Sequence, residues 1–200
     1  MDNNNLEKFK LMETGAAALL SGLAELTNNS FSLSDPNFKE TPHRIAKAYL
    51  EMCSGLGREN EVKDILNKHF PSTYKGMVII DNIEVFSMCP HHFLPVKYKV
   101  DFGYIPDGNV LGLSKIPRFI DLLAKRPVLQ EDFVTDIIKY FTEAIKPEGC
   151  IVIVDGQHGC MQCRGVMQPN SSAITSEVFG SFTNIVTRTE FLELIKLRRN

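Results

Sequence analysis

The residues of this chain best suited to chemistry are Cys89-Pro90-His91-His92 and, about seventy residues later, His158-Gly159-Cys160. Zinc takes cysteine and histidine in tetrahedral geometry. Cys89-x-x-His92 is one two-ligand spacing and Cys160-x-x-Cys163 is another. Two sites can be built from them. One is a closed structural site of Cys89, His92, Cys160 and Cys163. The other uses Cys89, His92 and Cys160 and keeps water in the fourth position, where Zn2+ lowers the pKa of that water to about 7. Spacing alone leaves both open. Two features favour the open site. Cys163–Met167 is predicted as a strand, whose alternation turns the two sulfurs opposite ways. His91 and His158 also flank the ligands, and acid–base chemistry has a use for them that a structural site lacks.

Cations and hydrogen-bonding groups lie elsewhere. Ser114-Lys115 stands at a predicted helix start with Arg118 one turn on, a pattern that suits an anion. Arg164 follows Cys160 by four residues, and Arg44 sits in Thr41-Pro42-His43-Arg44. Each of these alone is an ordinary solvated charge on a capped helix or loop. Gln130-Glu131 opens a long helix. A glutamate in a first turn is favoured by the helix dipole, and a carboxylate beside an amide also matches the donor-rich edge of guanine. Spacing does not choose between these readings.

The elements that must position these groups follow from periodicity. Leu6, Phe9, Met12, Ala16, Leu19, Leu20 and Leu23 recur at helical spacing. Thr41-Pro42 starts a second helix that ends near Gly55, and a third covers Glu61–His69. Met77–Ile80 and Ile83–Met88 are β-rich. Val96, Tyr98, Val100, Phe102 and Tyr104 share one parity, with Lys97, Lys99 and Asp101 on the other. Asp107-Gly108 marks a turn. Helices are predicted over Ile116–Leu123, Gln130–Lys146 and Arg188–Lys196, and strands over Cys150–Val154 and Cys163–Met167. Helices first and strands with inserted helices afterwards give an α+β pattern rather than an alternating βαβ one.

Bulk properties bound the function. The composition, 44% hydrophobic and 23% charged, is that of a globular protein with a sizeable core. A net charge of −2 argues against nucleic-acid binding by bulk electrostatics, so an anionic ligand needs a local cluster of cations. The polar N-terminus and the lack of a long apolar run lead us to expect neither a signal peptide nor a membrane partner. The expected location is cytoplasmic, with five reduced cysteines.

Taken together, the segments resemble GTP cyclohydrolase I. The match runs from Glu40-Thr41-Pro42-His43-Arg44 through CPHHFLP, GYIPDGNVLGLSKIPR, LQED and QHGCMQCRGV, and on through the Asn170–Ser176 stretch to Thr187–Leu192. It covers about four-fifths of the chain. The resemblance implies a tunnelling fold, an antiparallel sheet with helices on one face. In it, residues 73–200 form the catalytic domain and 1–72 an N-terminal helical region. It also implies a homodecamer of two pentamers with active sites between subunits. By position, Cys89, His92 and Cys160 match the Zn2+ ligands, and Cys163 is no ligand in that pattern. His91 and His158 match histidines that assist proton transfer. Gln130 and Glu131 match the guanine anchors, and Ser114 a residue near the ribose. Lys115, Arg118, Arg164 and Arg44 match the triphosphate-binding cations, with Arg44 supplied by a neighbouring chain. The implied reaction opens the imidazole ring of GTP, releases formate and rearranges to 7,8-dihydroneopterin triphosphate.

One position departs from the family pattern. Most members carry glutamate where this chain has Pro90, and proline offers no side-chain hydrogen bond and a fixed backbone. Two alternatives therefore stand beside the leading reading. One is a relative that opens another purine nucleotide or stops early. The other is a non-catalytic zinc oligomer that binds pterin or purine.

Overall fold

The computed structural model describes residues 3–199, and the chain divides into two compact units at Met52/Cys53. The first unit holds helices α1 (Asn3–Leu26) and α2 (Thr41–Met52). The two helices pack on each other, and Ala16, Ala24 and Ala46 are their buried residues. The ring of Phe9 meets that of His43 edge-on at 5.3 Å, and His43 Nδ1 bonds the Glu13 carboxylate.

The second unit begins with α3 (Glu59–Leu66) and β1 (His69–Pro71), followed by β2 (Val78–Met88), β3 (Pro95–Ile105) and β4 (Asn109–Leu111). Next come α4 (Lys115–Ala124), α5 (Gln130–Ile145), β5 (Gly149–His158), the short α6 (Gly159–Gln162), β6 (Ala173–Gly180) and α7 (Ile185–Arg199). β2, β3, β5 and β6 form one antiparallel sheet in the order β2-β3-β5-β6, and β1 pairs with β4 apart from it. The molecule is α+β.

Alternation along β3 sorts the two faces. Val96, Tyr98, Val100, Phe102 and Tyr104 are fully buried and face α4 and α5. Phe141 of α5 lies 4.8 Å from Phe102 and 5.0 Å from Tyr104, ring centre to ring centre, and Tyr98 stacks on Phe133 at 5.1 Å. Each such side chain contributes roughly 1.5–3 kcal/mol on burial. The opposite face is covered near one end by α7. Phe191 and Ile195 pack there with Ile151 and Phe182, and Gly103 is where the Phe191 ring comes closest to the strand. The expected helices on one face are thus α4 and α5, and α7 adds a layer on the other.

The two apolar runs Met77–Ile80 and Ile83–Met88 are one strand interrupted by a bulge. Asn82 takes a left-handed backbone there (φ 54°), and its N–H donates to the Asp101 carboxylate at 2.9 Å. Arg199 donates to both oxygens of that carboxylate at 2.7 Å. The strand expected at Cys163–Met167 does not form. Gly165 and Met167 have positive φ (62° and 46°), and Val166 and Met167 are exposed, so this apolar stretch is loop. The fourth strand is instead β6, whose outward side chains include Ile174 and Ser176. Among the described residues no helix is long and apolar enough to cross a membrane.

Candidate metal centre and active site

Four chain segments are drawn to one end of the sheet. The end of β2 is tied to the approach to α5. Met88 bridges Pro127, Val128 N–H donates to the Met88 carbonyl at 3.3 Å, and Ser87 Oγ donates to the Arg126 carbonyl at 3.1 Å. Cys89 therefore emerges beside Gln130 and Glu131. On the other side, Val96 of β3 is in register with His158, the last residue of β5. The loop between β2 and β3 is closed on itself by Cys89 N–H to Leu94 O and Phe93 N–H to Cys89 O, both 2.9 Å. Pro90, half-buried, presets the first turn position, and His91 and His92 are exposed at the apex. Beyond β5, Gly159 turns the chain into α6 with its Cα close against the Pro95 carbonyl. A Cβ there would lie 2.8 Å from that oxygen.

The outcome is a convergence of Cys89, His92 and Cys160, whose ligand atoms all lie within 4.8 Å of one another. Cys89 Sγ is 3.8 Å from His92 Nδ1 and 3.9 Å from His91 Nδ1. Both imidazoles thus touch the same sulfur, but only His92 also reaches Cys160. Both thiols are reduced. Burial, and then the neighbouring Cys89 sulfur, push the Cys160 thiol above its ordinary value, with Arg164 opposing. Cys163 is outside this group. It ends the α6 turn, exposed, with Sγ donating to the Gly159 carbonyl at 2.9 Å. The sulfurs are separated by a helical turn rather than by strand alternation.

The donor set fits a soft divalent cation such as zinc: two sulfurs and one imidazole, with a side left open. The surroundings fit as well. The Tyr98 hydroxyl is buried and makes no well-formed hydrogen bond. Ser87 lies near it but directs its own hydroxyl proton to Arg126 O. Cys89, Glu131 and Cys160 are close enough for their charge to act on that phenol, whose pKa is pushed up to about 12 chiefly by burial.

His158 lies beside the metal group, edge-on to Tyr98 at 6.1 Å. Burial holds its pKa below the ordinary imidazole value, and the charge of Glu131 opposes this. Its Nε2 is 2.7 Å from Gln130 Oε1. Gln130, only 3% exposed, donates through Nε2 to Val154 O, Ala173 O and Thr175 Oγ1 at 3.1, 2.8 and 3.1 Å. Its side chain is fully engaged inside the protein. The adjacent Glu131 is exposed, with its carboxylate open to solvent in the first turn of α5.

The cations are dispersed. Lys115 and Arg118 at the start of α4, together with Lys68 and Arg58, line a cleft of about 470 Å3 that none of Cys89, His92 and Cys160 lines. Arg58 is paired with Glu61 (2.6 Å) and Lys125 with Asp121 (2.8 Å). Ser114 precedes α4 without a side-chain capping bond. Arg164 is exposed in the loop after α6, and Arg44 is exposed on α2 of the first unit. Sequence reasoning did not single out Tyr98, Lys68 or Thr175. Tyr98 carries the parity of a core residue, and only its orphaned hydroxyl sets it apart.

Residues 24–196 match the family model described as GTP cyclohydrolase I. A protein named GTP cyclohydrolase 1 from Streptomyces coelicolor is 41% identical over 162 residues, 80% of each chain. Another of that name, from Porphyromonas gingivalis, is 43% identical over 161 residues, 80% of this chain and 82% of that one. Among solved structures, the apo archaeosine synthase QueF-Like shares 18% identity at a TM-score of 0.42, over 52% of this chain and 94% of that one. The family match spans every segment that meets at the end of the sheet, from the Cys89 loop to α6, and with it this chain belongs to the GTP cyclohydrolase I family.

Proposed function

We propose that this protein hydrolytically opens the imidazole ring of GTP, releases formate and rearranges the remainder to 7,8-dihydroneopterin triphosphate. The observation that carries the reading is the meeting of Cys89, His92 and Cys160 beside a histidine whose orientation is fixed. Cys89, His92 and Cys160 would hold Zn2+, which when bound supplies the Lewis acidity that makes water a nucleophile at neutral pH. His158, whose charged form burial disfavours, stands ready as a neutral base and gives an acquired proton back readily to a ring nitrogen as the C–N bond breaks. His91, exposed at the loop apex, is the second proton carrier.

Glu131, exposed in the first turn of α5, accepts from guanine N1–H and the exocyclic amine in this reading, a charge-assisted pair of bonds. Lys115 and Arg118, with Arg164 and with Arg44 from a neighbouring subunit, bind the triphosphate, and Ser114 lies near the ribose. Phosphate binding remote from the reacting carbon contributes orientation rather than chemistry. The working assembly is a homodecamer of two pentamers, the tunnelling-fold arrangement, and the setting is cytoplasmic.

The test is incubation of zinc-loaded protein with GTP, followed by a formate assay and by fluorescence after oxidation. Both signals are expected. Formate without pterin fluorescence would favour a shortened reaction, the reading motivated by Pro90. No formate from folded, zinc-loaded protein would sink the proposal.

A further inference from the structure

We infer that Gln130 acts on the reaction through His158, as the positioning residue that fixes which imidazole nitrogen carries the proton, and does not act as a contact to guanine. The argument is one of hydrogen-bond direction. Val154 O and Ala173 O are carbonyls and can only accept, so the Gln130 atom that faces both must be its NH2 group. That orientation is not reversible by a flip, because a carbonyl oxygen placed there would face two others. The remaining Gln130 atom, Oε1, then faces His158 Nε2 at 2.7 Å and can only accept. His158 Nε2 must therefore donate. Neutral imidazole has one N–H, so Nδ1 is left as a bare lone pair. No hydrogen bond to His158 Nδ1 is made among the described residues.

The device is built with little freedom. Gln130 is buried against β5 and β6, and the backbone opposite its amide is Gly156. A Cβ at that position would sit 2.2 Å from Gln130 Oε1 and 2.9 Å from the Tyr98 ring. Thr175, within the Asn170–Ser176 stretch, contributes its hydroxyl as a further acceptor for the amide. Two strands, β5 and β6, thus hold one acceptor oxygen in place under one imidazole. The lone pair at Nδ1 is consequently the one base the neutral ring has left to offer. The catalytic part of this inference rests on the ring-opening reading, whereas the tautomer does not.

The test begins with the wild-type, zinc-loaded protein and no substrate. Nitrogen-15 histidine spectra are recorded at about pH 8.5, two units above the ordinary imidazole value, with His158→Gln used for assignment. A protonated Nε2 and a bare Nδ1 are expected, and the opposite tautomer would overturn the inference outright. Two variants follow. Gln130→Met removes the acceptor. It should lose the tautomer preference and lower kcat for formate release by about 10- to 100-fold, the effect typical of removing a histidine's orienting partner, while KM for GTP moves less than about twofold. Gln130→Glu retains an oxygen under Nε2 and should keep the native tautomer. Near-UV circular dichroism identifies any variant that has lost its packing. In that event Gly156→Ala, which displaces the same amide from the opposite side, is read in the same way. An unaltered His158 spectrum in folded Gln130→Met, or a rise in KM with kcat intact, would return Gln130 to the guanine site. Because the spectra need no GTP, a protein that releases no formate sinks the ring-opening reading and leaves the tautomer result standing.

Discussion

At the scale of single residues, the two cysteines one helical turn apart are the sharpest discriminators. Cys160 converges with Cys89 and His92, whereas Cys163 is spent on the Gly159 carbonyl. Cys160→Ala should therefore lose the bound metal, and Cys163→Ala should retain it, as measured by metal content after dialysis. Metal loss from folded Cys163→Ala would restore the closed four-ligand site. Glu131 offers a second comparison. Hydrogen bonds to a charged acceptor are worth about 1.5–3 kcal/mol. Glu131→Gln should accordingly raise KM for GTP by about 10- to 100-fold with metal content unchanged. Cysteine and histidine spacings made Cys89, His92 and Cys160 legible in the sequence as candidate ligands, but spacing alone left Cys163 among them, and the family resemblance was needed to set it aside. Tyr98 was not legible, because a buried phenol with an orphaned hydroxyl looks like any other core aromatic when read from periodicity.

At the scale of elements, turn chemistry and face-to-face packing predict measurable shifts. Lys146 ends α5 in a left-handed conformation (φ 50°), the position where glycine carries no Cβ penalty. Lys146→Gly should stabilise the protein by about 1 kcal/mol, read from urea unfolding midpoints at constant slope. Gly103→Ala should do the reverse. Its Cβ would meet the Phe191 ring at 2.6 Å, so α7 must shift off the sheet at a cost of about 1–3 kcal/mol. Most elements could be read from the chain. The β3 alternation and the α5 stripe are strong signals, since each has one wet and one dry side. Two features could not. Cys163–Met167 is apolar enough for a strand, but its Gly165 and Met167 adopt positive φ, which an apolar pattern does not encode. β6, at the sheet edge, has no fully buried residue and exposes Ile174 and Phe179, so its alternation is weak. The role of α7 was equally hidden, because periodicity names the buried side of a helix but not the sheet face that receives it.

At the scale of the whole molecule, a net charge of −2 coexists with a cleft beside α3 and α4 in which Arg58, Lys68, Lys115, Arg118 and Lys125 outnumber Glu61, Asp64 and Asp121. Lys68, Lys115 and Arg118 make no ion pair among the described residues. A triphosphate drawn to such a cleft is screened by salt over a Debye length of about 8–10 Å. KM for GTP should thus rise steeply between low and physiological ionic strength, while kcat stays nearly flat. A flat KM would mean that the triphosphate is held elsewhere.

One feature of the sheet bears on how the protein is made. β3 is paired along one edge with the strand that leads into Cys89 and His92, and along the other with the strand that leads into Cys160. These ligands lie about seventy residues apart in the chain. Their meeting depends on a non-local pairing, the kind of contact that forms slowly. Early in refolding the chain holds at most the Cys89–His92 half of the metal group. Tight capture of the ion should therefore lag behind collapse and coincide with the closing of the β3–β5 ladder. A zinc-sensitive dye followed alongside far-UV signal during refolding would time that event. The cell would then supply the ion to an almost finished protein rather than to a nascent one.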